Sequence, residues 1–137
     1  MSGQQPLTLA WLEKAQNAVN ADPTFRKRGS IDVKMAVRAG DSAFLVTFSG
    51  FKCHGVQQMI GKDMRDADFI VEMNADQWER FVSGRRNGTG RTLIDIDTTD
   101  GIIKAQNPRK QLDFLRYHTS IQAFFDAGAR ESASRAA

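Results

Sequence analysis

Two runs of alternating residues, on either side of a glycine turn, constrain the fold of this chain more than any other feature. In the first run, Ile31 to Val37, and in the second, Phe44 to Phe48, apolar side chains occupy every second position. This period of two predicts strands with one buried face, and Gly40 between them suits a tight turn. The sequence therefore predicts an antiparallel strand pair whose apolar face needs a cover.

Other segments predict the strands that extend this pair and the helices that flank it. Strands are predicted at residues 51–59, 68–73, 93–97 and 102–105, and helices at residues 8–20, 75–83 and 108–127. The helix at 75–83 has the best-defined start, because Asn74 and Gln77 form a capping-box pattern, and Gly84 suits its end. The strands at 93–97 and 102–105 are predicted to pair with each other through a turn at 98–101.

Composition limits the chain to a small set of protein classes. The 137 residues suit a single domain, 1–137, in which residues 1–6 and 128–137 are expected to be flexible. No apolar run approaches the ~20 residues of a membrane span, and the N-terminus lacks the pattern of a secretion signal. We therefore expect a cytoplasmic protein with no integral membrane association. The single cysteine, Cys53, excludes an internal disulfide framework.

The charge balance and the aromatic residues argue against a nucleic-acid partner. There are 19 Lys and Arg against 16 Asp and Glu, and nine Phe accompany one Tyr and two Trp. Nucleic-acid binders combine basic patches with exposed aromatic rings that stack on bases, whereas Phe prefers the protein interior. We expect no nucleic-acid binding.

Candidate catalytic and metal-binding groups are sparse. Cys53 and His54 are adjacent, and because neighbours on a strand point to opposite faces they do not form a nucleophile pair. No spacing of His and Cys matches a metal site, and the acids around Asp95 and Asp97 do not fit a calcium loop. The sequence predicts no metal and no other cofactor.

The segment from Gly84 to Arg91 is the most plausible contact for an anion. It is basic and rich in glycine, so its arginines and backbone amides suit a phosphate or carboxylate head group. It lacks the residue order of a nucleotide-binding loop. The candidate head-group contacts are Arg85, Arg86 and Arg91.

The order of the elements resembles that of the sterol carrier protein family. The run from Ala67 to Gly84 carries the likeness: an alternating strand, a polar N-cap, an acidic first turn, an aromatic residue and a terminal small residue before glycine. The segments Asn20 to Arg26 and Ile31 to Ser49 are similar to bacterial members. The pattern departs from the family over Arg85 to Asp100 and returns only at Gly101 to Lys104.

The resemblance implies a fold class and a function. The fold would be α+β, a mostly antiparallel five-stranded sheet covered by helices, with an apolar cavity or tunnel between sheet and helices. The function would be non-catalytic binding or transfer of a hydrophobic small molecule such as a fatty acid, an acyl-CoA or a sterol-like lipid. The expected ligand-binding residues are Phe44, Val46, Phe48, Phe69, Val71, Trp78, Phe81, Leu112, Leu115, His118, Ile121, Phe124 and Phe125.

Two other hypotheses fit the same residues. The first is a small isomerase-like or hydrolase-like enzyme that acts on an apolar substrate in the same cavity, with His54, His118, Asp95 or Asp97 as its base. The second is an accessory subunit whose last helix docks on a larger lipid-metabolising enzyme, or a homodimer formed through that helix. The carrier and enzyme hypotheses depend on whether the aromatic rings enclose a hollow or fill it.

Overall fold

A computed structural model describes residues 7–59, 67–88, 90–105 and 107–136, with the backbone alone for 132–136. The predicted flexibility of residues 1–6 lies outside these ranges. The elements are α1 (Leu9–Ala21), α2 (Pro23–Lys27), β1 (Val33–Ala39), β2 (Ser42–Ser49), β3 (Lys52–Met59), β4 (Phe69–Met73), α3 (Ala75–Asn87), α4 (Leu93–Asp100), β5 (Ile103–Lys104) and α5 (Pro108–Ala136).

The strands form one five-stranded sheet in the order β3-β2-β1-β4-β5. The pairs are antiparallel except for β1 with β4, which run parallel. Gly40 makes the predicted turn between β1 and β2 with φ +60°. Asp68 fixes the register of β4, because its carboxylate accepts from the Lys34 amide at 2.9 Å and its own amide donates to the Lys34 carbonyl at 2.7 Å. The predicted α+β class and mostly antiparallel sheet are confirmed.

Helices α1, α3 and α5 pack on one face of the sheet. That face presents the predicted alternating apolar residues, and Val33, Met35 and Val37 of β1 are all buried beneath the helices. The opposite face carries a smaller apolar cluster that includes Ala36 and Leu45. The main core therefore lies between the sheet and the three long helices.

The segment predicted as a strand at 93–97 is instead the helix α4. The Oγ1 atom of Thr92 accepts from the Asp95 amide at 3.2 Å and caps its start, and Gly101 ends it with φ +62°. Leu93 and Ile96 are three residues apart, so one side of the helix buries both. Because the caps and this one-sided burial favour a helix, the short alternation at 93–97 was a misleading signal.

Two neighbouring predictions also change. The strand predicted at 102–105 is present as β5, but it pairs with β4 and not with residues 93–97. Helix α3 has the predicted capping box at Asn74, yet it continues past Gly84 to Asn87 and ends at Gly88. Gly84 lies against Gly90: a Cβ on Gly84 would stand 2.6 Å from the Gly90 Cα. Glycine at 84 is therefore required by close packing and not by a helix end.

Helix α5 begins at Pro108 as predicted but extends to Ala136, beyond the predicted end near residue 127. Residues 128–136 of the segment expected to be flexible are therefore helical, and residue 137 lies outside the described residues. Gly128 and Ala129 are buried there, and the indole ring of Trp11 on α1 lies directly over Gly128. This contact with α1 explains why the helix does not stop at the glycine.

We predict that Gly128→Ala lowers the stability of the fold. A Cβ at this position would stand 2.5 to 2.8 Å from three atoms of the Trp11 ring, and such overpacking costs about 1–3 kcal/mol. Urea unfolding measures the effect. The matched control is Gly55→Ala on β3, whose Cβ would meet nothing within 4 Å, and whose effect should stay within about 0.5 kcal/mol. A Gly128→Ala variant as stable as the natural chain contradicts the prediction.

Candidate functional site

Among the residues that the structure describes, no cavity between sheet and helices is shown, and aromatic rings occupy that part of the interior. Phe125 on α5 lies at the centre, with ring centroids 5.3 Å from Phe124, 5.4 Å from Trp78, 5.8 Å from Phe81 and 6.3 Å from Trp11. These separations are those of packed aromatic pairs. The rings fill one another's space at the level where a ligand was expected.

The predicted ligand-binding residues divide into three groups. Those buried in the core are Phe44, Val46, Phe48, Phe69, Val71, Trp78, Phe81, Ile121, Phe124 and Phe125. Leu112 and Leu115 lie on the outer side of α5, 60% and 48% exposed. His118 is partly buried at a groove between α4 and α5. The structure therefore does not bring all of these side chains to one site.

A hollow of about 290 Å³ lies between α3 and α4, and we call it the α3–α4 groove. Its lining residues are Met73, Gln77, Arg80, Phe81, Gly90, Arg91, Ile96 and Asp100. A second hollow of about 310 Å³ shares Met73, Gln77 and Asp100 with it and continues along the ends of β4 and β5. Ligand pockets start at about 300 Å³, so the groove is large enough for part of a small amphipathic molecule.

The groove has an apolar floor and a charged rim. Met73, Phe81 and Ile96 are buried and form the floor. The exposed residues Arg80, Arg91 and Asp100 carry the charges of the rim, with an excess of one positive charge. The Arg91 guanidinium donates to the Asp95 carbonyl at 2.7 Å and to the Thr99 hydroxyl at 2.8 Å, which holds it against α4. This arrangement suits a ligand with an apolar body and an anionic end.

Arg85, a predicted head-group contact, is engaged within the protein. Its Nε and Nη2 atoms donate to the two carboxylate oxygens of Asp126 at 2.7 and 3.2 Å, and its Nη1 donates to the Gly90 carbonyl at 3.0 Å. The hydrogen bond that Arg85 donates to Asp126 raises the pKa of Arg85. Gln122 extends the network, since its amide donates to Asp126 and accepts from the Leu93 amide, both at 2.9 Å.

We call this network the Arg85–Asp126 clamp. It joins α3 to α5 and holds the chain between Gly90 and Leu93, which forms one wall of the α3–α4 groove.

Of the other predicted head-group contacts, Arg91 lies at the rim of that groove and Arg86 is exposed on the last turn of α3.

A second groove of about 270 Å³ lies between α4 and α5, and we call it the α4–α5 groove. Its lining residues are Arg28, Thr92, Leu93, Ile94, His118, Thr119, Gln122, Ala123 and Asp126. The Arg85–Asp126 clamp borders both grooves, because Gly90 lines the α3–α4 groove and Gln122 and Asp126 line the α4–α5 groove. The two grooves thus share α4 as a common wall.

Three of the residues considered as catalytic bases, His54, Asp95 and Asp97, lie outside the α3–α4 groove. His54 is exposed on β3, and Asp95 is exposed on α4. The carboxylate of Asp97 accepts from the Ile103 amide at 2.9 Å and so joins α4 to β5. None of the three is among the described residues that line the α3–α4 groove.

Cys53 is buried on β3, where its surroundings favour the neutral thiol. Burial raises the pKa of the thiol to about 12. The carbonyl of the same residue accepts from Asn20 and Gln16 on α1, at 2.9 and 3.2 Å. A thiol held in this state is a structural group and not a nucleophile. Over the described ranges, no cluster of three or more His, Cys, Asp or Glu side chains is placed to bind a metal ion.

The fold has clear relatives among solved structures. No protein-family model matches the chain, and no curated protein matches it. A crystal structure of sterol carrier protein 2 superposes with a TM-score of 0.69 at 19% identity, covering 90% of this chain and 96% of the other. The chain has the sterol carrier protein fold.

Within the described ranges, no helix is long and apolar enough to cross a bilayer.

Two further structures share the sterol carrier protein fold with this chain. One is the solution structure of a conserved hypothetical protein from Thermus thermophilus, described as a candidate sterol carrier protein, with a TM-score of 0.66, 21% identity, and coverage of 96% of this chain and 92% of the other. The other is the UbiJ-SCP2 ubiquinone synthesis protein, with a TM-score of 0.51, 18% identity, and coverage of 93% and 95%.

Sequence reasoning missed most of the α3–α4 groove because it predicted α4 as a strand. Arg80, Ile96 and Asp100 were not among the predicted ligand contacts, although they line the groove. The spacing of Thr92 and Asp95, a capping pattern at a helix start, was the signal that could have located α4. With α4 in place, the groove beside α3 follows.

We predict that Cys53 makes the stability of the fold depend on pH in the alkaline range. Because burial raises its pKa from 9.0 to about 12, the unfolded chain loses the thiol proton first. The contribution is therefore fully present below pH 9 and is lost as the pH rises towards 12. Urea unfolding should show that the free-energy gap between the natural chain and Cys53→Ala narrows by about 1 kcal/mol between pH 8 and pH 10. A constant gap contradicts the assignment.

Proposed function

We propose that this chain is a non-catalytic carrier that binds a hydrophobic small molecule with an anionic end in the α3–α4 groove. The observation that carries the proposal is the pairing of a buried apolar floor, Met73, Phe81 and Ile96, with Arg80 and Arg91 at the rim. The shared fold with sterol carrier protein 2 supports a lipid ligand. The proposal takes residues 1–137 as one domain that works in the cytoplasm.

Two physical terms would hold such a ligand. Apolar area removed from water contributes about 25 cal/mol per Å², and this term depends little on the shape of the tail. The arginines add attraction for a carboxylate or phosphate and so orient the ligand with its anionic end at the rim. A fatty acid or an acyl-CoA fits this polarity better than a neutral sterol.

Phe81 connects the groove with the predicted tunnel. Its ring forms part of the groove floor and also packs edge-on against Trp78 at 5.7 Å and Phe125 at 5.8 Å. In our proposal, rotation of this ring lets a longer acyl tail enter between the sheet and the helices. The side chains expected to line a tunnel would then contact the tail in the loaded protein.

We predict that Arg80→Glu weakens the binding of dodecanoate roughly tenfold and leaves the binding of dodecanol unchanged. The substitution reverses a charge at the rim, so it acts on the anionic end of the ligand alone. Isothermal titration calorimetry with both ligands measures the difference. Arg130→Glu, an equal charge change at an exposed position on α5 that does not line the groove, is the control. An equal loss of dodecanoate affinity in Arg80→Glu and Arg130→Glu would contradict a specific contact at the rim.

We predict that Phe81→Leu changes dodecanoate affinity, whereas Phe25→Leu does not. Both residues are buried, at 3% and 2% exposure, and each packs against at least one aromatic ring, so similar destabilisation of about 1–3 kcal/mol is expected. Phe81 alone borders the groove. Calorimetry and urea unfolding on both variants separate binding from stability.

Native mass spectrometry of protein purified from cells provides an independent check on the same proposal. A co-purifying acyl species or other lipid is expected in the natural chain.

If Phe81→Leu binds dodecanoate like the natural chain despite its lower stability, Phe81 belongs to the core alone, and the proposed site is wrong.

A further inference from the structure

The first half of α5 presents an exposed apolar pair to solvent. Leu112 and Leu115 are 60% and 48% exposed, although large aliphatic side chains are usually buried. They are three residues apart on a helix and therefore lie side by side on one face. The opposite side of the same turns is buried in the core through Phe114 and Ile121. The exposure is thus a property of one face of α5.

Positive charge flanks this apolar pair. Arg109 lies three residues before Leu112 and Arg116 lies four residues after it, so both share its face, and both are exposed. The Arg116 guanidinium stands 5.8 Å from the ring centroid of Tyr117, which holds it at the helix surface. We call the four residues Arg109, Leu112, Leu115 and Arg116 the α5 face.

The acidic residues near the α5 face offset only part of this charge. Asp113 is partly buried and stands four residues after Arg109 and three residues before Arg116, so it lies beside both arginines and leaves an excess of one positive charge. Asp68 on the neighbouring strand end is 3.4 Å from the amine of Lys110, so it forms an ion pair with a cation outside the α5 face. The face therefore combines two apolar side chains with a net positive charge.

We propose that the α5 face docks on the surface of an anionic lipid bilayer. Two partly exposed leucines offer far less apolar area than the roughly 800 Å² that each partner contributes to a stable protein interface. They are sufficient for reversible adsorption at a bilayer when basic residues add attraction to anionic head groups. Charge and size together favour this partner over a second protein.

The α4–α5 groove lies next to the α5 face. Thr119 lines that groove and stands four residues after Leu115, on the same side of the helix. Arg28, also exposed, lies at the same groove and extends the positive charge beyond α5. A bilayer that contacts the leucines would therefore also face this groove. There the head group of one anionic lipid would contact the Arg28 guanidinium.

Sedimentation with vesicles tests the docking. The probe is a vesicle of phosphatidylcholine with phosphatidylglycerol, compared with phosphatidylcholine alone, for the full chain at low and high salt. The natural chain should bind the anionic vesicles more tightly, and salt should weaken this binding. Leu112→Gln with Leu115→Gln should lower affinity at least tenfold, and Arg109→Gln with Arg116→Gln about fivefold for each arginine removed.

Matched controls separate the α5 face from general surface effects. Phe51→Gln removes a large exposed apolar side chain, 53% exposed, at the turn between β2 and β3. Arg26→Gln with Lys27→Gln removes two exposed cations on α2. Both controls should bind vesicles within about twofold of the natural chain. Circular dichroism confirms that every variant is folded.

Two outcomes would overturn the proposal. One is vesicle binding that is equal in the leucine variant and the natural chain, or that does not depend on anionic lipid. The other is a concentration-dependent dimer in light scattering that the leucine variant abolishes, which would make the α5 face an interface between copies. The docking proposal does not rest on the α3–α4 groove. If the α5 variants bind dodecanoate normally and also bind vesicles like the natural chain, the docking proposal fails while the proposed function stands.

Discussion

Contact between Phe125 and its neighbouring rings is the interaction on which the rest of the structure depends. Through Trp11, Trp78 and Phe124, this one side chain on α5 joins α1, α3 and its own helix. Phe124 in turn packs edge-on against Phe48 of the sheet, with ring centroids 5.5 Å apart. The three long helices and the sheet are therefore positioned by a single connected set of rings.

This ring cluster also determines where a ligand can be accommodated. Because the rings fill the space beneath the helices, the open volume lies at the margin of the cluster, where α4 crosses between α3 and α5. The Arg85–Asp126 clamp and the close approach of Gly84 to Gly90 hold that margin in place. Phe81 lies at the boundary between the filled core and the groove. Rotation of its ring would therefore enlarge the groove at the expense of the packing in the core.

The sequence predicted the parts of the fold in which a pattern extends over many residues. The strands around Gly40 and the capping box at Asn74 were confirmed because each combines a periodic pattern with a turn or cap signal. The error at 93–97 arose because so short a span satisfies both periods: Ile94 and Ile96 alternate like strand residues, whereas Leu93 and Ile96 have helical spacing. Only the caps at Thr92 and Gly101 distinguish the two interpretations.

The candidate site was predicted less well, for a different physical reason. The same phenylalanines can line a hollow or pack against one another, since burial removes their area from water in either case. Which of the two occurs depends on the relative placement of helices that are distant in the chain. Likewise, Arg85 in a basic segment looks like an anion contact until Asp126, far along the chain, is found beside it.

Helix α4 is short and contributes few residues to the core. Gly101, with positive φ, ends it, and Leu93 and Ile96 are its buried residues. Its exposed residues, Asp95, Thr98, Thr99 and Asp100, lie outside the core. Related chains could therefore differ in the shape and charge of the α3–α4 groove by exchanging exposed residues of α4, such as Asp100, while the sheet and the ring cluster stay the same.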